Sequence, residues 1–257
     1  MAESRSDPFP DHFSGVAARY ASSRPRYPDA LFDWAASLPR HHRVAWDAGT
    51  GNGQATAGLA RHFTSVVATD ASAEQVAHAE AHPRVTYRVA TAERSGLPDA
   101  SVDLVTAAQA AHWFELEAFH AEVRRVLAPG GAVAVWSYAL PRLDDSAATA
   151  ELQAFAERVA PWWPAERRLV ETGYRTMPFP FDEVPAPAFS VTAEWDLAQL
   201  LSYLRTWSAV TRFVAANGID LVGEAGDRLA RVWGAEHRVR EVRWPVAMRA
   251  GRPAPRA

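Results

Sequence analysis

Four residues at strict two-residue spacing carry the strongest chemical signal in the sequence: Asp47, Gly49, Gly51 and Gly53 in VAWDAGTGNG, residues 44–53. Glycines on a turn from strand to helix reach φ > 0 and let a ligand approach the backbone closely. The helix that follows offers free N–H groups to an acceptor. A nicotinamide dinucleotide site uses a similar loop, usually G-x-G-x-x-G, to seat its pyrophosphate. Here an acid precedes G-x-G-x-G instead, and Asp47 suits a cofactor with a cationic amino-acid moiety better than a pyrophosphate. A second acid, Asp70, ends the next β-rich run 23 residues further on, close to the spacing of a ribose-binding acid. A carboxylate there can accept from both hydroxyls of a ribose diol.

Absences narrow the remaining chemistry. The 257 residues include no cysteine and no lysine, so all 27 basic residues are arginine. Thiolate catalysis and cysteine-zinc sites are excluded, as are Schiff-base, pyridoxal-phosphate and P-loop chemistries that need a lysine. A net charge of −3 argues against a nucleic-acid partner. The longest apolar stretches fall short of a membrane span and the N-terminus lacks a signal-peptide core, so a cytoplasmic protein is expected, with no membrane partner. His78 and His82 stand one helical turn apart, but no third metal ligand is evident; His120 and Glu122 share the H-x-E spacing of zinc deaminases, which need cysteines. No metal is expected.

These residues must be positioned by alternating elements. Strands are expected at 43–47, 65–69, 84–89, 102–107 and 132–138, and helices from the glycine loop to about Arg61, over 72–81 with Ser72 as N-cap, and over about 115–127. Such alternation means βαβ units and a mostly parallel sheet with helices on both faces. Beyond Leu140 the pattern turns helical over 144–171, 196–217 and 220–235, with a strand at 188–195 and an amphipathic strand at 238–248 whose Pro245 suggests an edge. The expected plan is one domain of 257 residues: an N-terminal segment 1–40, a core 41–139, a mainly helical lid with one strand 140–235, a closing strand 236–248 and a flexible tail 249–257. Seven of the ten tryptophans lie from Trp136 onward and could wall off an apolar pocket.

Taken together, VAWDAGTGNG, VVATDAS, VATAERSGLPDASVDLVTAAQAAHWF and RRVLAPGGAVAVW resemble, in order, the motifs of the class I S-adenosylmethionine-dependent methyltransferases, type 11 group. The resemblance implies a Rossmann-like, seven-stranded sheet with the helical lid inserted after the fifth strand, and S-adenosyl-L-methionine as cofactor. Carried over residue by residue, Asp47, Gly49, Thr50 and Gly51 would hold the methionine part, Asp70 and Ala71 the ribose, Ala92 and Glu93 the adenine side, and Gln109 with its neighbouring backbone the region of the sulfur. FSGVAARYASSRPRYP, residues 13–28, is similar to the start of a narrower group that includes the trans-aconitate methyltransferases. That similarity makes Tyr20 and Arg24 candidates to contact the cofactor's carboxylate or close the site, the other reading being a surface segment pinned by Pro25 and Pro28.

Methyl transfer from a sulfonium asks the protein mainly to align groups and exclude water. A hydroxyl acceptor benefits from a base, and a carboxylate needs none. His112, just past the fourth strand, is the candidate base and equally a packing support for Trp113; His112, Trp113, Trp136 and Tyr138 are the candidate pocket residues. Arg142, Arg175 and Arg205 could orient an acidic acceptor from the lid. The expected activity is methylation of a small molecule, most naturally at oxygen, by a monomer or homodimer. The alternatives are a nicotinamide-dependent oxidoreductase and a protein of this fold that binds the cofactor without turnover or for another reaction.

Overall fold

Side-chain alternation along the central strands decides how the layers form. In the computed structural model, which describes residues 26–235 and 237–254, the first half gives α1 (Asp29–Ala36), β1 (Val44–Ala48), α2 (Gln54–Leu59), β2 (Ser65–Asp70), α3 (Ala73–Ala77), β3 (Val85–Val89), β4 (Val102–Ala108), α4 (Leu116–Val126) and β5 (Leu127–Tyr138). Even-numbered residues of β5 from Ala132 to Tyr138, with Leu104 and Ala45, face one core shared with α1 and α2; Val133 and Val135, with Val105, Ala107 and Trp46, face a second core shared with α4. Period-two strands buried on both faces are what a sheet between two helical layers requires. Ser72 caps α3 by accepting from the Gln75 N–H at 3.3 Å, as expected, but the helix is short, ending before His78.

The second half adds β6 (Arg142–Leu143), α5 (Ser146–Val159), α6 (Arg167–Glu171), β7 (Asp182–Glu183), β8 (Phe189–Trp195), α7 (Leu197–Arg205), α8 (Ser208–Asn217), α9 (Leu221–Trp233) and β9 (Arg240–Arg252). Side-chain caps set three of these helices: Asp145 on α5, Asp196 with Gln199 in a capping box on α7, and Asp220 on α9.

The sheet holds nine strands rather than the expected seven. β1, β2, β3, β4 and β5 run parallel, and β9 is antiparallel to β5, β6, β7 and β8. Arg243 pairs with both Arg142 and Thr192, and Gly251 with both Val133 and Glu183. Hence β5 and the two-residue β6 share one flank of β9, and the two-residue β7 shares the other with β8. The extra strands are short continuations of lanes already counted.

Two further expectations are corrected. Pro245 does not mark an edge strand, because β9 is paired on both sides; it lies one residue outside the β5 ladder, which ends at Tyr138 with Val246. The first part of the supposed flexible tail is ordered: Arg249–Arg252 complete β9, and Arg252 donates to the Leu38 carbonyl at 2.8 Å. Residues of α5, α7, α8 and α9 join the core around Val191, Val242 and Trp244, and tryptophans 162, 163, 195, 207 and 233 pack there too. No helix among the described residues is long and apolar enough to cross a membrane.

Candidate cofactor site

The C-terminal ends of β1, β2 and β4 open onto a cavity of about 480 Å³, within the size range of small-molecule sites. In an open parallel sheet this is where the chain reverses strand order and loops diverge, leaving a crevice. Gly49, Thr50, Gly51, Asp70 and Ala71 form one wall, and Ala92, Glu93, Gln109 and Trp113 line other parts of it.

Beneath the glycine loop, Asp47 is fully buried. One oxygen accepts from Thr50 at 2.8 Å and Thr56 at 2.7 Å, and the other from Thr106 at 2.8 Å. Burial pushes its carboxyl above the usual carboxylate range, and the three hydroxyls act against that shift. Asp47 therefore does not face the cavity as expected; it ties the loop (Thr50), the following helix (Thr56) and β4 (Thr106) into one rigid base. Gly49 and Gly51 take φ of 67° and 56°, the left-handed region that glycine enters without penalty. At Gly49 a Cβ would also stand 2.6 Å from the Ala110 Cβ and 3.0 Å from the Phe114 ring.

Asp70 is the link between loops. Its Oδ2 accepts from the Gly51 N–H at 2.8 Å and its Oδ1 from the Ser72 N–H at 2.9 Å. These two backbone donors pin the carboxylate at the cavity wall. Gln109 adopts a positive φ of 55°, uncommon for a residue with a side chain. Its N–H donates to the Trp136 carbonyl at 2.8 Å, and its amide exchanges two 2.9 Å hydrogen bonds with the Tyr138 backbone. The side chain thus ties β4 to β5.

Behind the wall that carries Ala92 and Glu93 sits an acid that the sequence did not mark as functional. Glu122 on α4 accepts from the Ser95 N–H at 2.9 Å and from Arg125 at 2.8 Å through each oxygen. Together these hold the loop that carries Ala92 and Glu93. The Arg125 guanidinium, helped by Ser95, pulls the Glu122 carboxyl down to about 2 from 4.5. The folded state therefore favours ionised Glu122, and its contribution to stability is present above about pH 4.5 and lost as pH falls towards 2. Urea titrations at pH 7 and pH 3 test this: Glu122→Gln should be clearly less stable than the parent at pH 7, with the gap narrowed at pH 3. A gap that stays constant would refute the assignment.

His112 is placed behind the wall rather than on it. Its Nδ1 lies 3.0 Å from the Tyr174 hydroxyl, and its ring stacks at 4.9 Å from Trp113, which does line the cavity. These contacts make His112 a packing support for Trp113. Trp136 and Tyr138 are likewise absent from the described wall. Both are buried on the α1 side, with ring centroids 5.8 and 6.1 Å from Tyr27, so they back Tyr27, which lines the cavity. Tyr20 and Arg24 lie outside the described residues. Arg142, Arg175 and Arg205 do not line the cavity; Arg205 faces Asp220 at 3.8 Å. Glu166, which sequence reasoning missed, does line it. His78, His82 and His120 form no metal cluster among the described residues.

Residues 46–135 match the methyltransferase domain family of type 11. A Dictyostelium discoideum protein provisionally named a methyltransferase is 31% identical over 93% of this chain and 94% of its own length. The chain belongs to the class I S-adenosylmethionine-dependent methyltransferases. A solved structure from Anaeromyxobacter dehalogenans, provisionally described as a type II methyltransferase, is 46% identical and superposes with a TM-score of 0.85 over 91% of this methyltransferase and 99% of that chain. A Mycobacterium tuberculosis methyltransferase shares 38% identity over 49% of this chain and 51% of its own. The cofactor is S-adenosylmethionine, and the cavity fits it: the glycine loop lets a ligand close on the backbone, Asp70 offers acceptors to a diol, and acidic walls suit a sulfonium cation.

Proposed function

We propose that this methyltransferase transfers a methyl group to a hydroxyl oxygen of a small molecule. The observation that carries the reading is the joint of Asp70 with the glycine loop, beside a cavity large enough for a nucleoside cofactor and lined also by Trp113, Phe114 and Glu166. When bound, S-adenosylmethionine would supply the methyl group, carried on a sulfonium sulfur, and a hydroxyl acceptor would release its proton to solvent. The chain's own part is binding, alignment and exclusion of water: Asp70 orients the ribose, the Gly49–Gly51 backbone receives the amino-acid end, Ala92 and Glu93 border the adenine, and Trp113 with Phe114 shields the acceptor side. Asp47, Gln109 and His112 act on these groups from behind.

Calorimetric titration with S-adenosylmethionine and S-adenosylhomocysteine, with NADH as control, tests the cofactor assignments. Asp70→Ala should weaken both adenosyl ligands about ten- to hundredfold, the range of one to two lost charge-assisted hydrogen bonds. Affinity within threefold of the parent would remove Asp70 from the site, and tighter binding of NADH would favour an oxidoreductase.

A further inference from the structure

Tyr174 combines a fully buried hydroxyl with a backbone conformation that disfavours side chains. It does not line the cavity, and it sits at φ 59° directly after Gly173 at φ 60°. The two residues close the end of α6: the Gly173 N–H donates to the Val170 carbonyl at 2.9 Å and the Tyr174 N–H to the Leu169 carbonyl at 2.8 Å. Glycine or asparagine enters such a position readily, whereas a bulky residue is an outlier there. An outlier of this kind persists only where its surroundings hold it. Both ends of Tyr174 are held. Arg249 on β9 donates to its carbonyl at 3.2 Å and pairs with Glu183. At the other end its hydroxyl lies 3.0 Å from Nδ1 of His112, 62 residues earlier in the chain.

That hydroxyl is a neutral hydrogen-bonding group rather than a base. Burial pushes it above the ordinary range of a tyrosine, so it keeps its proton. Because a hydroxyl both donates and accepts, the bond to Nδ1 forms with either neutral tautomer of His112. His112 belongs to the 3₁₀ turn Ala111–Trp113, on which α6 packs, and its ring stands 4.9 Å from that of Trp113. Trp113 lines the cavity. The contacts therefore run from β9 through Tyr174 and His112 to an aromatic face of the site.

We infer that Tyr174 is a positioning residue of this methyltransferase: its hydroxyl holds His112 and, through it, fixes the Trp113 ring on the cavity wall. This goes beyond the methyl-transfer reading and rests on it only for the choice of ligand. A tyrosine that merely filled the core would stabilise the fold without setting Trp113.

Tyr174→Phe removes the hydroxyl and keeps the buried ring; Trp113→Leu removes the ring it sets. Iodide quenching of tryptophan fluorescence, with the signal of the matching Trp113→Leu protein subtracted, reports on Trp113 alone. Tyr174→Phe should make Trp113 more accessible to iodide. It should also weaken S-adenosylhomocysteine, titrated calorimetrically, about three- to tenfold, the range of one neutral hydrogen bond. Combined with Trp113→Leu, the same substitution should change affinity less than about twofold, because its target is gone. The proposal is overturned if Trp113 quenching is unchanged, if affinity stays at the parent's value, or if the loss is equal with and without Trp113. Equal loss is the additive result of a purely structural role. His112→Phe keeps a ring against Trp113 and lacks the Nδ1, so it should repeat both changes, and it replaces Tyr174→Phe if that variant does not fold. Failure of S-adenosylhomocysteine to bind the parent would overturn the cofactor reading instead, and the quenching comparison would then decide alone.

Discussion

Replacing Gly49 by alanine should abolish useful cofactor binding, weakening S-adenosylmethionine at least about a hundredfold. Two penalties combine there. The backbone sits at φ 67°, and a Cβ would stand 2.6 Å from that of Ala110, which is anchored to the main chain and cannot swing aside. Strain of about 1–3 kcal/mol and overpacking of a similar size follow. The loop relieves them by moving away from β4, which displaces the wall that receives the ligand. Gly218 supplies the control, because it has φ 68° with no atom within 4 Å of a built Cβ and lies at the end of α8. Gly218→Ala should cost about 1 kcal/mol of stability and leave calorimetric affinity for S-adenosylmethionine intact. Equal binding defects in the two variants would show that φ alone, and not the approach to Ala110, governs the loop.

Asp47→Ala should be the most destabilising single change at the site, about 3–5 kcal/mol in urea unfolding. It leaves the hydroxyls of Thr50, Thr56 and Thr106 buried without their shared acceptor, and opens a void in a fully buried position. With the carboxylate gone, one of the Thr50 and Thr56 hydroxyls, 2.6 Å apart, can donate to the other, which limits the loss. Asp47→Asn keeps the volume but brings its own N–H donors towards hydroxyls already placed to donate, so it should fall between the two. A loss below about 1 kcal/mol for the alanine variant would mean that the loop holds its shape without the carboxylate.

The glycine loop and Asp70 were legible because a strand, a turn and a helix within thirty residues determine them. Their roles divide in a way the spacing does not reveal. Asp70 faces the cavity, whereas Asp47 is consumed by three threonines, one of them, Thr106, on another strand. Trp136 and Tyr138 are large aromatics expected in the pocket, but β5 is buried on both faces and hydrophobicity does not say which face meets the ligand. Glu166 was out of reach for a different reason. No local period marks it, and its place on the wall depends on α6 docking on a turn more than fifty residues earlier. The strands β6 and β7 went unseen because two residues carry no alternation, and Pro245 misled because a strand paired on both sides can hold a proline where one ladder stops beside it, as that of β5 does at Val246.

The double pairing of β9 imposes an order on biosynthesis. Tyr138 pairs with Val246 and Val133 with Gly251, more than a hundred residues later. At about 5–20 residues per second the ribosome needs roughly 5–20 s to deliver that partner. Through that interval the nascent β5 presents a hydrophobic, unpaired edge of the kind that recruits strands from other chains. β8 waits likewise, though only about fifty residues behind its partner. The cofactor crevice on β1, β2 and β4 is encoded well before that closure. Its loops can therefore take shape on a sheet that is still half open, and ligand captured at that stage would stabilise the partly made sheet until β9 arrives.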